Sequence, residues 1–219
     1  MAEPAAGGLH FGISTPKRRL IVGITGATGV EIGVRLLAVL QERPDVETHL
    51  VMTKWARATL QIESDYSPRD VIGMADYHYA QADQAAPISS GSFSVDGMAI
   101  VPCSMKTLAG IRVGYGSDLI GRAADVTLKE RRQLVLVPRE TPLSPVHLEN
   151  MLELSRLGVT ILPPMPAFYN RPKGISDVID HTVMRILDQF GIDAGIGSRW
   201  SGVPHADGNG SEALHGVIR

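Results

Sequence analysis

Short apolar runs alternate with stretches of helical periodicity along most of this chain. The runs are rich in Val, Ile and Leu, which is typical of strands buried on both faces of a parallel sheet. Five such strands are predicted, at residues 20–24, 46–52, 98–101, 134–137 and 159–162.

Apolar residues recur at helical spacing between the runs. Helices are predicted at residues 30–40, 54–62, 67–74, 104–112, 118–132, 144–158 and 176–187, and residues 75–91 are predicted to be irregular. The alternation predicts an α/β fold of the Rossmann or flavodoxin-like type, a three-layer sandwich with a parallel sheet and a single domain. Ligands of such folds bind at the carboxyl ends of the strands.

Three helix boundaries carry recognisable residues. Ser144 precedes Pro145, so the serine is expected to cap a helix in which proline takes the first position. Gly158 is expected to end that helix. Ser176 is expected to cap the last helix of the chain.

Composition narrows the range of functions. The chain has 219 residues, of which 44% are hydrophobic and 20% charged, and its formal net charge is -2. These values are typical of one globular domain, and they give no global basic field that would attract nucleic acid or an acidic membrane. We expect a flexible arm at 1–17, one folded domain at 18–200 and a flexible tail at 201–219.

One cysteine, Cys103, is present, so no internal disulfide can form. A single cysteine without a disulfide partner is typical of a protein in a reducing compartment. No apolar segment has the length of a membrane span or of a signal peptide. A cytoplasmic location is therefore expected. Cys103 follows an apolar run and has no recognisable nucleophile arrangement around it. It is predicted to be a small buried hydrophobe.

The first predicted strand ends in a glycine-containing turn, Thr25-Gly26-Ala27-Thr28-Gly29, that leads into a helix. Small residues allow a phosphate to approach the backbone, and a helix N-terminus offers free N–H groups. The turn could be a simple strand-helix connection, but its context favours a bound nucleotide-type cofactor.

The same turn resembles that of short-chain dehydrogenases, yet three details oppose NAD(P). The third glycine of their pattern would fall at Ile32 and comes one place later, and the second strand ends in Thr53 and Lys54 where an acidic residue would bind ribose. Tyr169 and Lys173 have the spacing of the dehydrogenase pair, but the proline between them opposes the helix that the pair requires.

Polar and cationic residues follow the later strands. Ser104, Lys106 and Thr107 follow the third strand and can form an anion site at a helix start. Arg139 and Glu140 follow the fourth strand, at the edge where ligands bind.

Further cations come from other elements. Lys129, Arg139 and Arg185, together with Tyr169, provide more positive charge than one carboxylate needs, which favours a phosphorylated ligand. Two alternatives remain: Asp125 could pair with Arg122 and Lys129 along one helix, and Arg185 could extend to water.

Taken together, these residues resemble the UbiX/Pad1 family of flavin prenyltransferases over residues 18–200. The matching segments are 25–29, 90–92, 102–107, 122–126, 128–132, 138–142, 147–151 and 166–169. Two positions depart from the family, which usually has serine where Thr28 and Thr53 stand. Threonine keeps the hydroxyl and adds a methyl group.

The resemblance implies two adjoining ligand sites. The FMN site would comprise Gly26, Ala27, Thr28, Thr53, Ser104, Met105, Lys106, Thr107 and Arg122. The site for dimethylallyl phosphate would comprise Ser90, Lys129, Arg139, Tyr169 and Arg185, with Trp200 near the prenyl group. Glu140 and Glu63 would transfer protons, and Lys129 would assist catalysis.

The family reaction needs no metal. In the mechanism that the resemblance implies, reduced FMN would attack the allylic carbon through a central-ring nitrogen and phosphate would leave. A second bond would then close onto the neighbouring aromatic carbon, whose proton would go to Glu140 or to the released phosphate. The resemblance also implies a large homo-oligomer, a dodecamer, with sites at subunit interfaces. The product, prenylated FMN, would serve a UbiD-type decarboxylase of aromatic or α,β-unsaturated acids.

Two alternatives use the same scaffold. An FMN-dependent peptidyl-cysteine decarboxylase has a related motif at 102–107, but the segment 138–144 here lacks that family's Pro-x-Met-Asn pattern. A flavin-carrier subunit of a decarboxylase would bind FMN without catalysis, and it would have no need for Lys129, Glu140, Tyr169 and Arg185. The sequence leaves open whether the donor is a monophosphate or a diphosphate.

Overall fold

A computed structural model describes residues 16–202 of the chain. Its centre is a six-stranded sheet in the order β3-β2-β1-β4-β5-β6, in which every neighbouring pair is parallel. The strands are β1 Arg18–Ile24, β2 Val46–Met52, β3 Tyr77–Tyr79, β4 Gly97–Cys103, β5 Gln133–Pro138 and β6 Thr160–Ile161. The predicted parallel α/β sandwich is confirmed.

Helices cover both faces of this sheet. They are α1 Val30–Gln41, α2 Lys54–Glu63, α3 Pro68–Ile72, α4 Met105–Arg112, α5 Leu119–Lys129, α6 Pro145–Arg156 and α7 Ile175–Asp188. The side chains of α1, α2, α3 and α7 share one apolar core, and those of α4, α5 and α6 share the other.

The strands contribute to both cores in alternation. On β1, Val22 packs into the first core while Ile21 packs into the second, and β5 divides Val135 and Leu134 in the same way. Because helices cover both faces of the central strands, β1, β4 and β5 appear in the sequence as largely continuous apolar runs without polar alternation.

Gly33 sets the closeness of α1 to the sheet. A Cβ atom at this position would overlap the carbonyl oxygen of Val101 on β4. The glycine therefore allows the close helix-strand contact that the third glycine of a dinucleotide-binding turn provides, although it stands one residue later.

Several boundaries differ from the predicted ones. The segment predicted to be irregular contains β3, which pairs with β2. Helix α5 ends at Lys129 and does not reach residue 132, because Arg131 has a positive φ of 56°. Gly174, and not Ser176, precedes the first residue of α7.

Other boundary predictions are confirmed. The Ser144 side chain accepts a hydrogen bond from the His147 N–H, with Pro145 as the first helical residue. Gly158, with φ of 89°, lies just beyond the end of that helix. The predicted arm and tail lie almost wholly in residues 1–15 and 203–219, outside the described residues, and stay predictions. Among the described helices, none has both the length and the apolarity needed to cross a membrane.

Candidate functional site

A cleft opens at the carboxyl ends of β1, β2 and β4. The chain builds the sheet outward from β1 in one direction as far as β3, and then outward from β4 in the other direction. The crevice beside such a reversal of strand order is where α/β folds bind their ligands. The cleft has a volume of about 310 Å³. Its lining residues are Thr25, Gly26, Thr53, Lys54, Trp55, Gln81, Ser104, Lys106, Thr107, Gly110, Tyr115, Ser117, Asp118 and Gly121.

Thr25 joins the two strands at the base of the cleft. Its buried hydroxyl donates to the carbonyl of Pro102 at 2.8 Å and accepts from the Ser104 N–H at 2.8 Å. This side chain therefore holds the end of β1 against the end of β4, and it fixes where α4 begins.

Two walls of the cleft start at capped helix N-termini. Thr53 caps α2 by accepting from the Ala56 N–H at 3.0 Å, and Ser104 caps α4 by accepting from the Thr107 N–H at 3.3 Å. The exposed Lys106 follows on the first turn of α4. Hydroxyl groups, a helix N-terminus and a cation thus converge on one side of the cleft, an arrangement suited to an anion.

The N–H groups at the glycine turn are not free, contrary to the prediction from the sequence, but bind a side chain of the same chain. The Glu63 carboxylate accepts from the Gly29 N–H at 2.8 Å and from the Val30 N–H at 3.3 Å. These N–H groups at the start of α1 were expected to be free, and they are engaged within the chain. Gly26 is needed for packing, since a Cβ there would overlap the Cβ of Trp55.

The nine residues predicted for FMN fall into two groups. Those that line the cleft are Gly26, Thr53, Ser104, Lys106 and Thr107. Ala27, Thr28, Met105 and Arg122 are not part of the lining. The Arg122 guanidinium donates to the Ser89 carbonyl at 3.0 Å and to Asp125 at 2.9 Å, which is the helical pairing considered from the sequence.

Several lining residues were not anticipated. Trp55 and Tyr115 place exposed aromatic rings at the cleft, and Gln81 lies between its walls. Gln81 and Tyr115 stand in connecting segments without a recognisable motif, so no sequence pattern predicts their place at the cleft. Asp118 could have been found from its position directly before a predicted helix. It caps α5 by accepting a hydrogen bond from the Gly121 N–H at 2.9 Å.

Lys129 and Ser90 are near neighbours outside this lining. The Lys129 ammonium pairs with Glu130 at 2.6 Å, and not with Asp125. A Cβ on Gly91 would lie only 2.7 Å from Lys129 Nζ, so the ammonium lies against the 90–92 turn. The Ser90 hydroxyl is 2.9 Å from that of Ser92 in this turn.

Arg139 and Glu140 leave the sheet beside α4. Cys103 on β4 and Pro138 on β5 are register partners, so Arg139 follows β5 at the same level at which Ser104 follows β4. Both charged residues are exposed. Neither forms an ion pair within residues 16–202, and the Glu140 carboxylate accepts from the Thr141 N–H at 3.1 Å.

The remaining predicted residues lie on the C-terminal elements. The Tyr169 and Trp200 rings meet edge to face with centroids 5.5 Å apart, and both rings are more than half exposed. Arg185 on α7 pairs with Asp188 at 3.2 Å and borders a separate depression. Within one chain, the predicted donor residues therefore form separate clusters and do not line the cleft.

Cys103 is fully buried in the second core. Burial raises the pKa of its thiol, which keeps the sulfur protonated and unreactive. The prediction of a small buried hydrophobe is confirmed.

A parallel α/β sheet with a ligand-sized cleft at the reversal of strand order is the arrangement in which the class of nucleotide-cofactor-binding α/β proteins holds its ligands. The Flavoprotein family matches residues 13–187. A probable UbiX-like flavin prenyltransferase of Escherichia coli O157:H7 is 62% identical over 188 residues, which cover 86% of this chain and 95% of that protein. The chain belongs to the family of UbiX-like flavin prenyltransferases.

Two solved structures are similar to the present one. The dodecameric FMN-dependent UbiX-like decarboxylase from Escherichia coli O157:H7 has a TM-score of 0.83 at 62% identity, covering 84% of this chain and 100% of that chain. AnUbiX (PadA1) in complex with FMN and dimethylallyl pyrophosphate has a TM-score of 0.83 at 57% identity, covering 85% of this chain and 99% of that chain. The resemblance stated from the sequence motifs is confirmed.

Proposed function

We propose that this chain joins dimethylallyl phosphate to reduced FMN and releases prenylated FMN. The observation that carries the proposal is the placement of Arg139 and Glu140. These two charged residues have no partner in any ion pair within residues 16–202, and they leave β5 beside the Ser104 end of the cleft. A cation and a carboxylate at that edge serve a reaction in which phosphate leaves and a proton is removed.

The residues of the cleft fit a flavin mononucleotide. The capped start of α4, with Lys106 and Thr107, suits the phosphate, and the exposed Trp55 and Tyr115 rings offer apolar surface to a planar ring system. The volume of about 310 Å³ is at the lower end of the range of about 300–1,000 Å³ that ligand sites occupy. A flavin bound here would extend past the lining toward Arg139 and Glu140.

The donor phosphate is assigned to Ser90, Lys129, Arg139, Tyr169 and Arg185. Negative charge grows on the phosphate as the carbon–oxygen bond breaks, so cations that meet it lower the barrier. Lys129 pairs with the exposed Glu130, and Arg185 pairs with the partly buried Asp188, which also binds Arg199. Both cations are themselves exposed, and surface pairs of this kind are weak enough to exchange for a phosphate. The Trp200 and Tyr169 rings would face the prenyl group, where aromatic faces stabilise an allylic cation.

We assign the proton transfers of the reaction to two carboxylates, those of Glu140 and Glu63. When bound, reduced FMN supplies the nucleophilic ring. Glu140 has no ion pair to neutralise it within residues 16–202, so its carboxylate can accept the proton that ring closure releases. Glu63 is the second carboxylate assigned to proton transfer. It would have to transfer a proton at the glycine turn while it also accepts the hydrogen bond from the Gly29 N–H at the start of α1.

Assembly of several copies of the chain would bring the predicted donor-binding residues of one subunit to the cleft of another. In one chain Tyr169, Trp200 and Arg185 are not among the residues that line the cleft, and the Phe168 side chain next to Tyr169 is exposed as well. The donor pocket is therefore proposed to form between subunits of a homo-oligomer, a dodecamer like that of the Escherichia coli relative. The released product is proposed to serve a UbiD-type decarboxylase.

The deciding experiment is anaerobic incubation of the protein with reduced FMN and a prenyl donor, followed by mass and absorption spectra of the released flavin. A flavin heavier by one five-carbon unit is expected, and parallel reactions with dimethylallyl monophosphate and diphosphate identify the donor. Release of unmodified FMN from both reactions would leave the flavin-carrier role. Oxidative decarboxylation of a peptide ending in cysteine, without any flavin product, would favour the decarboxylase alternative.

A further inference from the structure

Gln81 connects two of the helices that line the cleft, α2 and α5. It lies two residues beyond β3, in the segment between that strand and the 3-10 turn Pro87–Ser89, and it lines the cleft. We infer that Gln81 is a positioning residue that fixes the distance between the α2 wall and the α5 wall, and thereby the width available to the flavin. The inference rests on the proposed function.

Both ends of the Gln81 amide are occupied. Its oxygen accepts from the backbone N–H of Lys54, the first residue of α2, at 2.9 Å. Its nitrogen donates to Asp118 Oδ2 at 2.8 Å. The reverse orientation would set an NH₂ group against an N–H and an oxygen against a carboxylate, so the contacts define the amide orientation.

Asp118 transmits the connection to α5. One of its oxygens caps the helix through the Gly121 N–H, and the other holds Gln81. The backbone adds a second link, because the Leu119 N–H donates to the Gln81 carbonyl at 2.9 Å. The Gln81 amide thus joins the first turn of α2 to the first turn of α5.

The segment that carries Gln81 is itself anchored. Tyr79, two residues earlier, pairs in register with Val51 of β2, and its hydroxyl is 2.9 Å from Nδ1 of the buried His49. A side chain on a fixed segment with two fixed partners has one geometry. Trp55 on α2 and Tyr115, whose carbonyl lies against Gly121 of α5, are consequently held at one separation.

The test compares Gln81→Leu with Gln84→Leu, which is a matched control. Gln84 lies in the same segment and donates only to the Gly116 carbonyl at 3.3 Å, outside the cleft lining. Affinity is measured with oxidised FMN by quenching of flavin fluorescence. Gln81→Leu is expected to raise the Kd about tenfold or more, since it removes one hydrogen bond to a charged group and one to a backbone N–H. Gln84→Leu is expected to bind as the wild type does.

A second pair of variants separates positioning from direct contact with the ligand. Gln81→Glu places a carboxylate against Asp118, and the repulsion at high pH should spread the walls. Protonation at lower pH restores a hydrogen bond between the two carboxyl groups. The other titratable side chains that line the cleft are Lys54, Lys106 and Tyr115. The Kd of Gln81→Glu relative to Gln84→Glu should therefore fall severalfold between pH 8 and pH 5, a comparison that cancels titration of the flavin phosphate.

A third measurement needs no ligand. Amide hydrogen exchange at Lys54 should accelerate at least tenfold in Gln81→Leu and stay unchanged in Gln84→Leu, because only the former loses the acceptor of this N–H. Unchanged exchange, or a Gln81→Glu affinity that is reduced equally at every pH, would overturn the inference. A wild-type protein that exchanges as expected but binds no FMN would instead count against the proposed function.

Discussion

The Glu63 carboxylate accepts a hydrogen bond from the Gly29 N–H at 2.8 Å and so caps the N-terminus of α1 from the end of α2. The cap makes an internal anion occupy the position at which other nucleotide-binding turns hold a phosphate. It explains why the glycine turn of this chain need not hold the ligand phosphate, and why the start of α4 is the better candidate.

Glu63→Gln should reduce the free energy of unfolding. The change keeps the shape but removes the charge that complements the helix dipole, at a cost of about 1 kcal/mol. Urea denaturation of the variant against the wild type measures this loss. Glu31→Gln is the control, because Glu31 is an exposed residue of the first turn of α1 that makes no comparable cap. A variant as stable as the wild type would show that the carboxylate serves only in catalysis.

Glu140→Gln should bind both substrates and turn over slowly. The amide preserves the shape of the side chain but cannot accept the ring proton, and loss of a general base costs about a hundredfold to ten-thousandfold in rate. Single-turnover spectroscopy of reduced FMN with the donor separates the first bond from ring closure. Glu149→Gln, at an exposed position of α6, serves as the control. Ring closure at the wild-type rate would transfer the role to the released phosphate.

Arg185→Ala should weaken donor binding while FMN affinity stays within about twofold. Losing one charge-assisted contact to a phosphate costs about 1.5–3 kcal/mol, which is roughly a ten- to hundredfold rise in the Kd of the donor. Isothermal titration with each ligand measures both affinities. Arg199→Ala is a matched control, because Arg199 shares the Asp188 carboxylate with Arg185. Equal loss of both ligands in Arg185→Ala would mean that the residue is structural.

His49 should make stability depend on pH. Burial lowers the pKa of His49, against an opposing hydrogen bond from its Nε2 to Glu47 at 3.1 Å. A folded-state pKa below the unfolded value means that the unfolded chain binds the proton more readily. The contribution of neutral His49 to the free energy of unfolding is then fully present above the unfolded pKa of about 6.5. Below that pH the free energy of unfolding falls by up to about 1.4 kcal/mol per pH unit. Urea denaturation from pH 7.5 to pH 5 should show this slope, and His49→Phe should flatten it.

Much of the sheet was predictable from the sequence, because strands covered on both faces leave continuous apolar runs. The exception is β3, whose Tyr77–Tyr79 carries no such run and is a strand because it pairs with β2 and its tyrosines stack on His49. The start of α7 was misplaced for a related reason. The Lys173 N–H donates to the Asp177 carboxylate at 2.7 Å, a local contact that makes Gly174 the boundary.

The residues of the candidate site also fall into a group that local sequence patterns predict and a group that depends on long-range contacts. Hydroxyls that cap helices directly after strands, such as Thr53 and Ser104, follow a pattern that is visible in the sequence. Gln81 and the Glu63 cap depend on contacts between residues that are 27 and 34 positions apart, and periodicity does not encode such distances. The motifs at 138–142 and 166–169 predict Arg139 and Tyr169 as donor-binding residues, but neither residue lines the cleft within one chain.

The Thr25 hydroxyl, which joins β1 to β4, also has a consequence for biosynthesis. Its partners Pro102 and Ser104 leave the ribosome about 80 residues after β1, so in a nascent chain that ends before β4 the edge of β1 that later pairs with β4 is open and the crevice is absent. Flavin capture must therefore come late in synthesis, and until then the exposed edge of β1 is a place where chains can associate wrongly.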